Sequence, residues 1–166
     1  MKRQRILAAL LLVLLLAGAG TAAAAPGYAP GPAVDRALGR ALEYLHQAQN
    51  ADGGFPASPG GPSSSQVTAW VVMALAAAGE DPAGVYWAPG GTSPVAYLKS
   101  KDKPASTADY ARSLLALAAA GEGEGAKAKE LARVLAGRQQ ADGRLGLAGA
   151  GEEGLINYHI WSLLAL

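Results

Sequence analysis

"QNADGGF" (residues 49–55) closes an apolar helical pattern, and "QQADGRL" (residues 139–145) repeats the phrase ninety positions later. A chain that ends two helices in the same words contains a repeat, and the period of that repeat fixes the fold. Upstream of the first copy, Val34, Ala37, Leu38, Ala41, Leu42, Leu45 and Ala48 follow one another at steps of 3, 1, 3, 1, 3 and 3. That spacing predicts one amphipathic helix, with Asp35, Arg36, Arg40 and Glu43 off the apolar stripe. It should end at residues 50–54, where glycine can take the positive φ of a C-terminal cap.

A second helix is expected after "PGGPSSS", opened by Ser63 and Gln66 at capping-box spacing. Val67, Trp70, Val71, Ala74, Leu75 and Ala78 carry its stripe. No charge falls between Val67 and Ala78, so this helix should be the more buried of the pair. Gly79 and Pro82 end it. "ALAAAG" recurs from Ala74 to Ala116, an offset of 42, and "SLLAL" recurs from Ser113 to Ser162, an offset of 49. The unit is therefore about 45 residues of helix, Gly-rich turn and helix, written three times. Its middle copy has a shortened first helix, "SPVAYLKS", and no Asp-Gly turn.

Residues 42–55, "LEYLHQAQNADGGF", resemble the Gln-Trp repeat of squalene and terpene cyclases and of protein prenyltransferase β subunits. Phe55 stands where that family often has Trp. Residues 133–146 are a weaker copy, with Leu145 at the aromatic position. The resemblance covers residues 34–166. It implies an all-α fold: helical hairpins of an α/α toroid, here three and incomplete. Gln49, Asp52, Gly53, Gly54, Phe55, Gln139, Asp142 and Gly143 then form structural turns. The glutamine amide would tie one helix end to the N–H groups that open the next, the aspartate would cap, and the aromatic would cover the joint.

The first 25 residues read as a signal peptide: Lys2, Arg3 and Arg5, an apolar run over residues 6–16, then small residues suited to cleavage. The alternative is an uncleaved anchor, the only membrane contact expected. Residues 26–33 read as an extended Pro/Gly linker. Loss of three basic residues leaves eleven against thirteen acidic ones, a net charge of −2, which argues against nucleic acid as a partner.

Inherited catalysis is not expected. The cyclase branch uses an Asp-x-Asp-Asp acid and the prenyltransferase branch a zinc site with cysteine. Here the aspartates are isolated and cysteine is absent. His46 and His159 are far apart, as packing residues would be. Glu152 and Glu153 sit in a Gly-rich loop, Ser113 has no histidine nearby in sequence, and "GEGEG" (residues 121–125) lacks the lysine of a phosphate loop. Trp70, Tyr110, Tyr158 and Trp161 are candidate cavity aromatics, with Trp87 as a further tryptophan, although tryptophan on an apolar stripe usually belongs to the core.

The reading is thus of an exported, non-catalytic repeat protein, secreted or at the cell surface, that binds a protein, a glycan or a small apolar ligand and needs no cofactor or metal. The alternatives are a truncated cyclase- or prenyltransferase-like enzyme and a cobalamin-carrier-like binder. "NYHIWSLLAL" (residues 157–166) is apolar nearly all round and lacks a capping glycine, so further hairpins are expected after it.

Overall fold

The computed structural model describes residues 31–101, 104–147, 151 and 156–166. The signal, most of the linker and the Glu152–Glu153 pair lie outside them. The described residues are mostly helical: α1 Pro32–Ala48, α2 Ser65–Ala77, α3 Pro94–Ser100, α4 Thr107–Ala119, α5 Ala126–Ala136 and α6 Ile156–Ala165. A two-residue ladder pairs β1 (Phe55–Pro56) with β2 (Ser63–Ser64), and a 3-10 turn spans Val85–Trp87. The chain divides into units at residues 1–35 and 36–166. Of the first, only Gly31 to Asp35 are described, as the opening turn of α1. None of the described helices is long and apolar enough to cross a membrane.

Helix α1 begins inside the expected linker. Pro32 enters the first turn, where its missing N–H costs nothing, and the Val34 amide donates to Gly31 O at 2.8 Å. Helix α2 also starts differently from expectation. The N-cap is Ser64, whose hydroxyl accepts the Val67 amide, while Ser63 belongs to β2 and Gln66 reaches away to Asp109. A capping box does form at α4, between Ser106 and Asp109.

The two "AAAGE" turns are alike. Gly79 and Gly121 adopt φ of 82° and 76°. Beyond them the Glu80 and Glu122 amides donate back to Leu75 O and Leu117 O at 2.9 and 2.8 Å. This six-to-one bond ends each helix cleanly.

Packing shifts the frame of the repeat. Helices α2, α4 and α6 lie side by side in a row, α4 between the other two. Helix α3 packs on α2 and α5 on α4. Helices α3 and α5 thus lie on the second helix of the preceding unit, across the Ala-Ala-Ala-Gly turn, and less on their own partners. The main core joins Ala69 and Val72 of α2, Val95 and Leu98 of α3, Ala111, Leu114 and Leu117 of α4, and Leu131 and Leu135 of α5. A smaller cluster of Phe55, Val71, Leu75 and Trp87 takes Leu42 and Leu45 of α1. As expected, α2 buries five residues while α1 buries none.

Candidate functional site

The two recurring turns share the same backbone wiring. Gly53 and Gly143 take φ of 84° and 85°. In the first joint the Asn50 amide donates to Gly54 O and the Gly53 amide to Asn50 O, both at 3.0 Å. In the second, Gln140 donates to Arg144 O at 2.7 Å and Gly143 to Gln140 O at 2.9 Å. Asp52 Oδ1 accepts the Gly54 amide at 3.0 Å, as Asp142 Oδ1 accepts the Arg144 amide at 3.1 Å. Gln49 and Gln139 each donate to the glycine carbonyl four residues on, at 3.0 and 3.2 Å.

The glutamine amide does not reach the N–H groups of a following helix. Gln49 Nε2 instead joins two carbonyls, Gly53 O and Trp87 O, the latter at 2.9 Å, and its Oε1 is buried without a hydrogen-bond partner. The link to the next helix comes from the aromatic position. The Phe55 amide donates to Thr68 Oγ1 of α2 at 2.9 Å, and Leu145 donates to His159 Nδ1 of α6 at 3.3 Å. Phe55 is buried in the smaller cluster with Val71, Leu75 and Trp87. Gly54 is glycine because a Cβ there would press on Ser63 and the Tyr97 ring.

These joints use up their own polar groups. The Ser63 hydroxyl, at 2.6 Å, holds the Asp52 carboxyl below its ordinary value, with the Gly54 amide also acting against slight desolvation. The Arg144 amide and then its guanidinium do the same for Asp142. Among the described residues no three His, Cys, Asp or Glu side chains converge. His46 meets Trp87 edge-on and its Nε2 lies 3.0 Å from Tyr86 O, so it packs rather than ligates.

Of the four candidate aromatics, Tyr110 is core, with the Arg138 guanidinium 4.3 Å from its ring centroid. Tyr158 is half-buried on α6. Trp87 is buried in the smaller cluster. Trp70 and Trp161 come together, ring centroids 5.2 Å apart and nearly perpendicular, and Trp70 remains 44% exposed.

The offsets of 42 and 49 make Trp70, Arg112 and Trp161 equivalent positions of α2, α4 and α6. Trp70 and Trp161 therefore meet across α4, and the Arg112 guanidinium lies 5.4 Å from the Trp70 ring centroid. Arg112 Nη1 is paired with Asp109 Oδ1, and Arg112 Nε is buried without a hydrogen-bond partner. Burial pushes the Asp109 carboxyl up. Hydrogen bonds from Ser106, Gln66 and Arg112 outweigh that and hold it below the ordinary carboxylate value.

Arg112 and Asp109 also face a cavity of about 280 Å³ between α2, α3, α4 and α5. Gln66, Lys101, Ser113 and Lys127 add polar groups over an apolar floor of Leu98, Leu117 and Leu131. Its lining has three cations against one carboxylate. None of the four candidate aromatics lines it. Sequence reasoning set Ser113 aside for want of a histidine and passed over Arg112 and Lys101. Superposing the second helices at their two offsets is the signal that would have found Arg112. Comparison with family models, with curated proteins and with solved structures gives no match for this chain.

Proposed function

We propose that the chain is an exported, non-catalytic binding module built from toroid-type helical hairpins, and that its ligand is a saccharide carrying an acidic group. The observation that carries this reading is the convergence of Trp70, Arg112 and Trp161 from equivalent positions of three helices, beside the cation-rich cavity. A half-exposed indole presents a flat apolar face for the C–H side of a sugar ring. Arg112 and Lys101 offer donors and charge for a carboxylate. The backbone wiring shared by the two turns supports a repeat of the cyclase and prenyltransferase kind. The absence of an Asp-x-Asp-Asp sequence and of cysteine supports binding over turnover.

The test is a tryptophan-fluorescence titration with uronic-acid oligosaccharides and their neutral counterparts. A saturable change is expected with the acidic sugars, lost in Trp70→Ala and weakened at least tenfold in Lys101→Ala, about 1.4 kcal/mol. No saturable response to any sugar would overturn the reading. So would conversion of squalene or a prenyl diphosphate that depends on a single aspartate.

A further inference from the structure

The cavity beside Arg112 has a floor that a plain sugar acid leaves empty. Leu98, Leu117 and Leu131 reach it from α3, α4 and α5, and all three belong to the main core. Polar groups stand close to them in the chain. Ser113 lies four residues before Leu117 on α4, and Lys101 lies three after Leu98 at the end of α3. The leucines are buried while Lys101 is exposed, so the cavity is apolar at its floor and cationic at its rim. Its volume of about 280 Å³ falls short of the roughly 300 Å³ at which whole-ligand pockets begin. A sugar ring placed inside would also lay its hydroxyls on leucine with nothing to bond, which is unfavourable. The flat apolar face suited to a ring is Trp70, which does not line the cavity. The ring and the part of the ligand that fills the cavity are therefore different parts of one molecule.

Arg112 joins the two places. Its guanidinium carbon lies 5.4 Å from the Trp70 ring centroid, and its side chain lines the cavity. Nη1 is held by Asp109, and Nε is buried without a hydrogen-bond partner. Lys127 is already paired with Glu130. The donors for an acid at the cavity are thus Arg112 and Lys101.

Resting on the acidic-saccharide reading above, we infer that the acid is borne on a short alkyl branch of the sugar, of the lactyl-ether type. The carbons of the branch fill the leucine floor, its carboxylate meets Arg112 and Lys101, and the ring stays on Trp70. A carboxyl attached straight to the ring, as in a uronic acid, can meet the cations but brings no carbon to the floor. Burial of about two further carbons is worth at least tenfold in affinity. Ser113 then becomes a specificity-determining residue, because a small side chain there keeps room for the branch.

The tryptophan fluorescence of the full chain is titrated with N-acetylmuramic acid, glucuronic acid and N-acetylglucosamine, which carry the acid on a branch, the acid on the ring and no acid. The wild type should bind the first at least about tenfold more tightly than the second, and the third most weakly. Ser113→Leu fills the cavity from α4 and should bring the two acids to within about twofold of each other. Ala105→Leu, at an exposed position of the lining, fills it from the segment before α4 and serves if Ser113→Leu fails to fold. Glucuronic acid bound as tightly as the branched acid would overturn the inference and leave the acidic-saccharide reading standing. A tenfold preference kept by both leucine variants would overturn it too, since the branch would then lie outside the cavity. N-acetylglucosamine bound as tightly as the branched acid would show that the acid is not read and would overturn both. No saturable response to any of the three removes the saccharide reading and this inference with it.

Discussion

His159 in α6 stands where Thr68 stands in α2, and each accepts the backbone amide of the residue that closes its joint. Leu145 donates to the imidazole at 3.3 Å and Phe55 to the hydroxyl at 2.9 Å. Tyr110 occupies the same position in α4, in the unit that lacks the Asp-Gly turn, and there it is core. The acceptor is present where a joint needs it and replaced by an apolar ring where it does not. His159→Ala should therefore destabilise the chain by about 1 kcal/mol, the net worth of one hydrogen bond, without affecting ligand binding. Denaturant unfolding of both proteins checks this; equal midpoints would remove His159 from the joint.

Gly53 and Gly143 share a left-handed φ but not their surroundings. A Cβ on Gly53 would strike the Thr92 carbonyl, while one on Gly143 meets nothing within 4 Å. Gly143→Ala should cost only the strain of the conformation, about 1–2 kcal/mol. Gly53→Ala should cost clearly more, because backbone must move as well. Equal losses in urea unfolding would show that the first joint is not wedged against the 90–93 loop.

The glutamines differ in the same sense. Gln49 is part-buried and donates to two carbonyls, whereas Gln139 is exposed and donates to one. Gln49→Ala should lose roughly 1–3 kcal/mol, since it strands the buried Trp87 carbonyl, and Gln139→Ala less than about 1 kcal/mol. The order is read from paired thermal melts and would be contradicted by its reversal.

Asp109 should shape the acid limb of stability. Its carboxyl is held below the ordinary value of 3.8 in the folded chain, so the folded state binds the proton less readily than the unfolded state. The resulting stability is present above that value and is lost as pH falls through the folded pKa. Asp109→Asn should be less stable than the wild type near neutral pH, and the gap should close as pH drops below about 4. A gap constant from neutral pH to pH 2 would mean that the charge contributes nothing.

Much of this fold was readable in the residues, and the losses have physical causes. Apolar spacing found α1 and α2, and the uncharged stretch after Val67 correctly marked the deeper helix. The N-cap slipped from Ser64 to Ser63 because three serines in a row offer equivalent hydroxyls, and only the register of β1 with β2 chooses among them. Periodicity shows which face of a helix is apolar but not which neighbour covers it. The packing of α3 on α2 and α5 on α4 was therefore hidden. Trp70 and Trp161 were singled out as aromatics, yet their meeting across α4 depends on three helices standing in register.

The claim on which the rest stands is that the repeated Gln-x-x-Asp-Gly stretch is a built joint and not a loop awaiting a ligand. Amide hydrogen exchange at Phe55 and Leu145, in the absence of any ligand, tests it most directly. Both amides donate to side chains of the next helix, so both should exchange within about tenfold of the slow amides of α2 and α6, and Thr68→Val should release Phe55 alone. Exchange at both positions at the rate of an unstructured peptide would contradict the account.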